Sequence, residues 1–266
     1  MTGRLQDRVA IIAGGGSSGP GWGNGKATAV LFAREGAKLF VVDVDQTAAD
    51  ETVALIRGEG GEATAHQADV SKGDAVAELV DRCVAIYSRV DILHYNVGII
   101  KIGGCVELSE SDWRLVLDAN VTGCFLLCKY VLPIMEHQRT GVVLTIGSVA
   151  GIRWTGVPYI AYSTTKAALI QFTRSVAMQY AAGGIRAICI LPGLLDTPMI
   201  YKGLPDAYAS GDAQQMVALR KAQCPTGRMG DAWDVAKAAL FLASDDAKYI
   251  TATELLVDGG IAAKFG

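Results

Sequence analysis

The run V-A-I-I-A-G-G-G-S-S-G-P-G-W-G-N-G, Val9 to Gly25, decides the fold. Val9–Ala13 is apolar throughout and passes into a loop rich in glycine. Lys26–Glu35 then carries apolar residues at helical spacing as far as Gly36. An unbroken apolar run of this length reads as a strand covered on both faces. Between a strand and a helix, glycines let the backbone approach a pyrophosphate, whose charge the helix N-terminus favours. Two registers fit. Gly15, Gly19 and Gly21 form a literal G-x-x-x-G-x-G. Alternatively, Gly14 opens the loop, and Gly23 and Gly25 close it. The helix start fixes where the dipole points, which favours the second register and a loop about five residues longer than usual. The dinucleotide contacts expected in the loop are Gly14, Ser17, Gly23, Asn24 and Gly25.

The same alternation continues outward. Lys38–Val42 is an apolar strand closed by Asp43, and Gln46–Arg57 a helix. Glu62–Gln67 is a weaker strand ending near Asp69, followed by a helix over Lys72–Ser88. Asp91–Tyr95 is a strand, and Ser109–His137 a long helix whose last turn Pro133 should break. Val142–Ile146 and Ile185–Leu191 are strands on either side of a helix over Pro158–Tyr180. A helix over Ala232–Ala243 and a strand over Glu254–Val257 complete the pattern. Strands alternating with helices, several of them apolar on both faces, predict an α/β fold: a doubly wound, Rossmann-type parallel sheet of about seven strands with helices on both faces. One domain over residues 1–266 is expected. Its least regular part, Thr197–Arg228, holds Pro198, Gly203, Pro205, Gly211 and Pro225 around a short helical piece at Gln214–Lys221. It is expected to be a substrate lid.

Composition narrows the class. With 51% hydrophobic and 19% charged residues and 31 glycines in 266 positions, the chain reads as a soluble protein with a large core and many turns. A formal net charge of −3 gives no reason to expect a nucleic-acid partner. No apolar run reaches the roughly 18 residues of a spanning helix, and the N-terminus lacks the apolar core of a signal peptide, so a cytoplasmic protein without a membrane partner is expected. His66, His94 and His137 show no ligand spacing, and the six cysteines form no C-x-x-C pair, so no metal site is expected. Cys124 and Cys128, inside an apolar helical run, read as buried thiols.

Chemistry concentrates in Ser148–Lys166, S-V-A-G-I-R-W-T-G-V-P-Y-I-A-Y-S-T-T-K. Tyr162 and Lys166 are four apart and share a helix face. An ammonium beside a phenol favours the phenolate, and a phenol so tuned is a usable general acid and base. Ser148 is placed to hydrogen-bond the oxygen whose proton Tyr162 handles. Asp43 lies about 20 residues past the loop glycines, where a carboxylate accepts from the adenosine ribose hydroxyls and repels a 2′-phosphate. Val44 and Asp45 follow it, with no cation, so NAD is expected in preference to NADP. Asp69 and Val70 are candidate adenine contacts.

Taken in order, these motifs resemble the short-chain dehydrogenase/reductase family, in its single-domain form with an extended glycine loop. Gly14–Gly25 resembles the glycine motif. Tyr95-Asn96-Val97-Gly98 resembles N-N-A-G, departing at its first and third positions. Asn120 resembles the mid-helix asparagine, Ser148 the serine, and Tyr162 with Lys166 the Y-x-x-x-K. Pro192–Thr197 resembles P-G-x-x-x-T, and Val257–Gly260 the terminal V-D-G-G. The resemblance implies Tyr162 as general acid/base and Lys166 as its tuner and a ligand of the nicotinamide ribose. It further implies Ser148 on the substrate oxygen and Asn120 on a proton relay through Lys166. Pro192, Leu195 and Thr197 would hold the nicotinamide, with Asn96 and Gly98 along the cofactor's path. It also implies a homo-oligomer, a tetramer.

The expected activity is hydride transfer between NAD(H) and a secondary alcohol or ketone, a small-molecule substrate. Two alternatives stay open: an enoyl or imine reductase using Tyr159 as proton donor, and a non-catalytic nucleotide-sensing protein. Tyr159, seven before Lys166, shares the same face, so spacing does not exclude it. Candidate substrate contacts are Lys101, Arg153, Trp154, Tyr159 and Met199, with Lys101 or Arg153 as a possible clamp for an anionic group.

Overall fold

The computed structural model describes residues 3–202, 204–209 and 211–264, without the side chains of 208 and 209. Gly203 and Ser210 of the expected lid, and residues 1, 2, 265 and 266 of the expected domain, lie outside the described residues. The strands are β1 (Val9–Ala13), β2 (Lys38–Asp43), β3 (Ala63–Gln67), β4 (Ile92–Tyr95), β5 (Gly141–Ile146), β6 (Ile185–Pro192) and β7 (Glu254–Val257). They form one parallel seven-stranded sheet in the order β3-β2-β1-β4-β5-β6-β7. The order reverses beside β1, which pairs with β2 on one edge and β4 on the other. A crevice opens there at the C-terminal strand ends, the place where such sheets bind ligands.

The apolar strands divide between two cores. Ala10 and Ile12 of β1 join Leu39, Val41, Ile92, Leu144 and Ile188 in a cluster with α1 (Asn24–Arg34), α2 (Gln46–Gly58) and α9 (Ala232–Ala243). Val9, Ile11 and Ala13 point the other way, into a cluster with α3 (Gly73–Tyr87), α5 (Gly123–Gln138) and α6 (Ile160–Tyr180). This two-sided burial is why β1 reads as an unbroken apolar run. Truncating one such side chain, as in Ile12→Ala, costs about 2–5 kcal/mol.

The long helix expected over Ser109–His137 is interrupted. It comprises α4 (Glu110–Leu117), a π-turn at Asp118–Thr122, and α5. The extra residue of the π-turn carries Asn120 into the interior, where it is fully buried, and such turns recur at functional sites. Tyr95 at the end of β4 donates its hydroxyl to the Ala119 carbonyl there. Pro133 does not end the helix, which runs on to Gln138 and stops at Arg139 in the left-handed region. Glu110–Gln138 is, by length and composition, long and apolar enough to cross a membrane, a property that counting unbroken apolar runs misses. Its Cys124, Leu127, Cys128, Val131 and Met135 are buried against the sheet.

Between β6 and α9 lie a 3-10 turn at Pro198–Tyr201, α7 (Leu204–Ala209) and α8 (Ala213–Gln223). This segment is more helical than its prolines and glycines suggest. Asp212 caps α8, accepting from the Gln214 and Gln215 amides at 2.9 Å each.

Candidate active site

A cavity of about 660 Å³ runs along the C-terminal ends of β1, β2, β4, β5 and β6. One end is walled by the glycine loop and the β2 and β3 ends: Gly14, Gly16, Ser17, Gly23, Asn24, Asp43, Asp69 and Val70. The middle is walled by Asn96, Gly98, Ser148, Tyr162, Lys166, Pro192, Leu195 and Thr197. The other end meets the segment after β6, with Met199, Ile200, Lys202, Leu204 and Arg220.

In the middle, Ser148, Tyr162 and Lys166 come together. Ser148 follows β5, and its hydroxyl accepts from the Ala150 amide at 3.1 Å. Lys166 is 2% exposed and donates to the Ile146 carbonyl at 2.7 Å. Its Nζ lies 5.6 Å from the centre of the Tyr162 ring. Gly98 makes room for it, since a Cβ there would come within 3.0 Å of Nζ. Burial pushes the Tyr162 hydroxyl up to about 12, while a hydrogen bond with Ser148 and the charge of Arg220 pull it down. Burial also brings Lys166 down to about 8. The lowering of Tyr162 by Lys166 expected from their spacing is therefore not the dominant effect. Both groups are desolvated together, and the ammonium is turned to a backbone carbonyl.

Asn120 stands behind this wall, not on it. Its Oδ1 accepts from the Ile99 amide at 2.8 Å, and its Nδ2 donates to the Ile99 carbonyl at 3.1 Å and to Thr165 Oγ1 at 3.0 Å. Its side chain thus ties the π-turn to the loop after β4 and to α6, one residue from Lys166.

A family model described as enoyl-(acyl carrier protein) reductase matches residues 21–262. An oxidoreductase of Thermotoga maritima is 37% identical over 97% of this chain and 99% of its own. A solved Burkholderia xenovorans structure described as a short-chain dehydrogenase/reductase is 46% identical, covers 99% of this chain and 100% of its own, and superposes with a TM-score of 0.93. The chain belongs to the short-chain dehydrogenase/reductase family. Among its relatives is a 2,5-dichloro-2,5-cyclohexadiene-1,4-diol dehydrogenase of Sphingobium indicum, 34% identical over 98% of both chains.

Short-chain dehydrogenase/reductases use a nicotinamide dinucleotide, and the residues here fit one. Helix α1 begins at Gly23 with no side-chain cap and no acidic residue in its first turn. By contrast, α2, α8 and α9 are capped by Asp45, Asp212 and Asp231. The uncapped amides of α1 open on the cavity beside Gly14, Ser17 and Asn24, where an anionic pyrophosphate is stabilised. Gly14 has φ +75, and Gly16 lets the loop pack closely on β2 and α2, since a Cβ there would meet Ala48 Cβ at 2.6 Å and Asp43 Oδ2 at 2.8 Å. Asn96 Nδ2 holds the Gly14 carbonyl at 2.9 Å. Asp43 accepts from the Gly16 amide at 2.9 Å, which sets its carboxylate on the wall at the end of β2.

Gly25 does not line the cavity. A Cβ there would overlap the Gly14 carbonyl and come within 2.8 Å of Asn96 Nδ2, so this glycine serves helix–strand packing. Tyr159 and Met199 lie on the wall, but Lys101, Arg153 and Trp154 do not. Lys101 turns away to pair with Asp112 at 2.9 Å. Arg153 is exposed, and Trp154 is 77% exposed. After the Val149–Gly151 turn the chain runs outward over Ile152, Arg153 and Trp154, which are exposed, and is back on the wall at Thr155 and Tyr159. Arg220 lines the cavity although no motif singles it out. Its one sequence signal is its place between Met216 and Cys224 on one helical face.

Proposed function

We propose that this short-chain dehydrogenase/reductase moves a hydride between NAD(H) and a secondary alcohol or ketone, with Tyr162 as general acid/base. The observation that carries the reading is the meeting of Ser148, Tyr162 and Lys166 on one wall of the cavity. When bound, the nicotinamide supplies the hydride acceptor or donor. In oxidation, the Tyr162 oxygen takes the alcohol proton as the carbinol carbon loses its hydride, and Ser148 donates to the resulting carbonyl oxygen. In reduction, Tyr162 returns the proton. Lys166 would stabilise the phenolate and hold the nicotinamide ribose. Asn120 is a positioning residue that fixes the turn of α6 carrying Lys166. Pro192, Leu195 and Thr197 would hold the nicotinamide, and the segment 197–228 would serve as the lid of the reacting end.

NAD is favoured over NADP because the ribose end presents Asp43, Asp45 and Asp69. Among the described residues lining that end there is no lysine or arginine. The diol dehydrogenase among the relatives supports an alcohol substrate. An NAD⁺-reduction screen over secondary alcohols tests the reading: Tyr162→Phe should lower kcat by about 10³-fold. Turnover within about tenfold of wild type would remove Tyr162 from the chemistry.

The description of the matching family model favours a second reading, an enoyl reductase using Tyr159. Tyr159 packs edge-on to Tyr162 with ring centres 5.3 Å apart, and its hydroxyl pairs with Thr155 Oγ1. That engagement favours a structural role. NADH oxidation with unsaturated acyl substrates, abolished in Tyr159→Phe and retained in Tyr162→Phe, would establish this reading instead. A homotetramer would cover Phe125 on α5 and Met178 on α6, which are 50% and 72% exposed; sedimentation at micromolar concentration reads it directly.

A further inference from the structure

Tyr95, the last residue of β4, stands at the first of the two departures from N-N-A-G. Its side chain is fully buried in the apolar cluster that holds Val70, Cys124 and Cys128. A phenylalanine would fill this space without a polar atom, and a buried hydroxyl costs free energy unless it is hydrogen-bonded. The Tyr95 hydroxyl donates to the Ala119 carbonyl, inside the π-turn. Gly123 lets that turn come so close to the strand end. A Cβ there would lie 2.5 Å from the Tyr95 hydroxyl oxygen and 2.8 Å from Val70 Cγ2. The Gly123 amide reaches back to the Asp118 carbonyl and closes the turn.

From the π-turn a path of hydrogen bonds runs to α6. Asn120, next to Ala119, accepts from the Ile99 amide and donates through Nδ2 to the Ile99 carbonyl and to Thr165 Oγ1. Thr165 is fully buried, and its Oγ1 donates in turn to the Tyr162 carbonyl at 2.8 Å. Backbone and buried side chains thus join the end of β4 to the turn of α6 that carries both Tyr162 and Lys166. A misplacement of about 1 Å near a reaction centre can cost about a hundredfold in rate.

We infer that Tyr95 is a positioning residue of the reaction: its hydroxyl holds the π-turn, and Asn120 and Thr165 pass that constraint to Tyr162 and Lys166. The inference rests on the alcohol/ketone reading above and deepens it.

The test is NAD⁺-dependent oxidation of secondary alcohols by Tyr95→Phe, Thr165→Val and the double variant, each assayed well below its melting temperature. Tyr95→Phe should lower kcat about thirtyfold, with KM for alcohol and NAD⁺ within about twofold of wild type. The double variant should fall no lower than the less active single variant, because the two substitutions cut one path. 4-Aminophenylalanine at position 95 restores a donor and should restore kcat. Should Tyr95→Phe not fold, 4-fluorophenylalanine, which fills the volume of the hydroxyl without donating, carries the test. Amide exchange gives a readout without turnover. In Tyr95→Phe the Ile99 amide, which donates to Asn120, should exchange about tenfold faster, while the Ile92 amide of β4 keeps its rate. A lower melting temperature with kcat within about threefold of wild type makes Tyr95 structural and overturns the inference. Losses that multiply in the double variant overturn it too. Faster Ile99 exchange, with no alcohol oxidised by wild type, overturns the alcohol/ketone chemistry and leaves the hold on Asn120 standing. Unchanged Ile99 exchange overturns that hold.

Discussion

The two ends of the cavity are built differently. At the ribose end the wall is largely backbone and short side chains, set by the glycine loop and by where β2 and β3 stop. At the reacting end it is long side chains, Met199, Ile200, Leu204 and Arg220, on short helices inserted between β6 and α9. The first construction follows from strand register and from the absence of Cβ atoms at a few positions. The second depends on how an insertion folds back over the sheet. Substitutions at the ribose end should therefore disturb fold and cofactor together, whereas those at the reacting end should sort substrates.

The largest effect should come from Gly25→Ala, because the new methyl meets the Gly14 carbonyl, which cannot move away without disturbing β1. A loss of about 3 kcal/mol in urea unfolding is expected, with weakened cofactor binding. A neutral result would mean that the loop can shift, and that this end is less rigid than its packing implies.

Next comes pH, which probes the junction of the two ends. Lys166 sits near 8 when folded, below the ordinary lysine value of 10.5. The unfolded chain therefore binds more protons between these values. The burial penalty is full below about pH 8 and is relieved as pH rises toward 10.5. Wild type should gain about 2 kcal/mol relative to Lys166→Met between pH 7.5 and 9.5. Above pH 10 that difference should level off, while the absolute stability of both proteins should fall, because Tyr162, raised to about 12, stays neutral in the fold while the unfolded phenol ionises. Urea midpoints across this range check both signs.

Asp43→Asn should be milder. It keeps an acceptor for the Gly16 amide and removes the charge proposed to face the ribose. The ratio of NADPH to NADH dissociation constants should fall about tenfold, or about 1.4 kcal/mol, read by cofactor fluorescence. An unchanged ratio would place the discrimination elsewhere. Smallest of all, Trp154→Ala should change stability by less than about 0.5 kcal/mol and leave KM alone. A clear rise in KM would show the exposed indole reaching the substrate.

The same contrast explains what could be read from the chain alone. β1, β7 and α9 fall at the residues expected, because apolar runs and helical spacing report burial directly. All the anticipated cofactor contacts except Gly25 line the cavity, since strand ends and loop glycines place backbone without help from distant side chains. The π-turn is not legible in the sequence, because Asp118–Thr122 carries no breaker and its insertion shows only against the sheet. Lys101 and Arg153 follow β4 and β5 in the sequence, but proximity in sequence does not say which way a loop turns. Nothing in the sequence marks Arg220, because a lone arginine on a short helix ordinarily faces solvent, and only α8 packing against Ile200 and Leu204 turns it inward.

The missing cap of α1 has a consequence for the whole molecule. A helix whose first-turn amides await an anion is completed by a solute instead of by its own sequence. The melting temperature should therefore climb with the logarithm of dinucleotide concentration, with about 2.7 kcal/mol of added stability at one hundred times the dissociation constant. In a cell, the lifetime of this fold would then track the size of the nicotinamide pool.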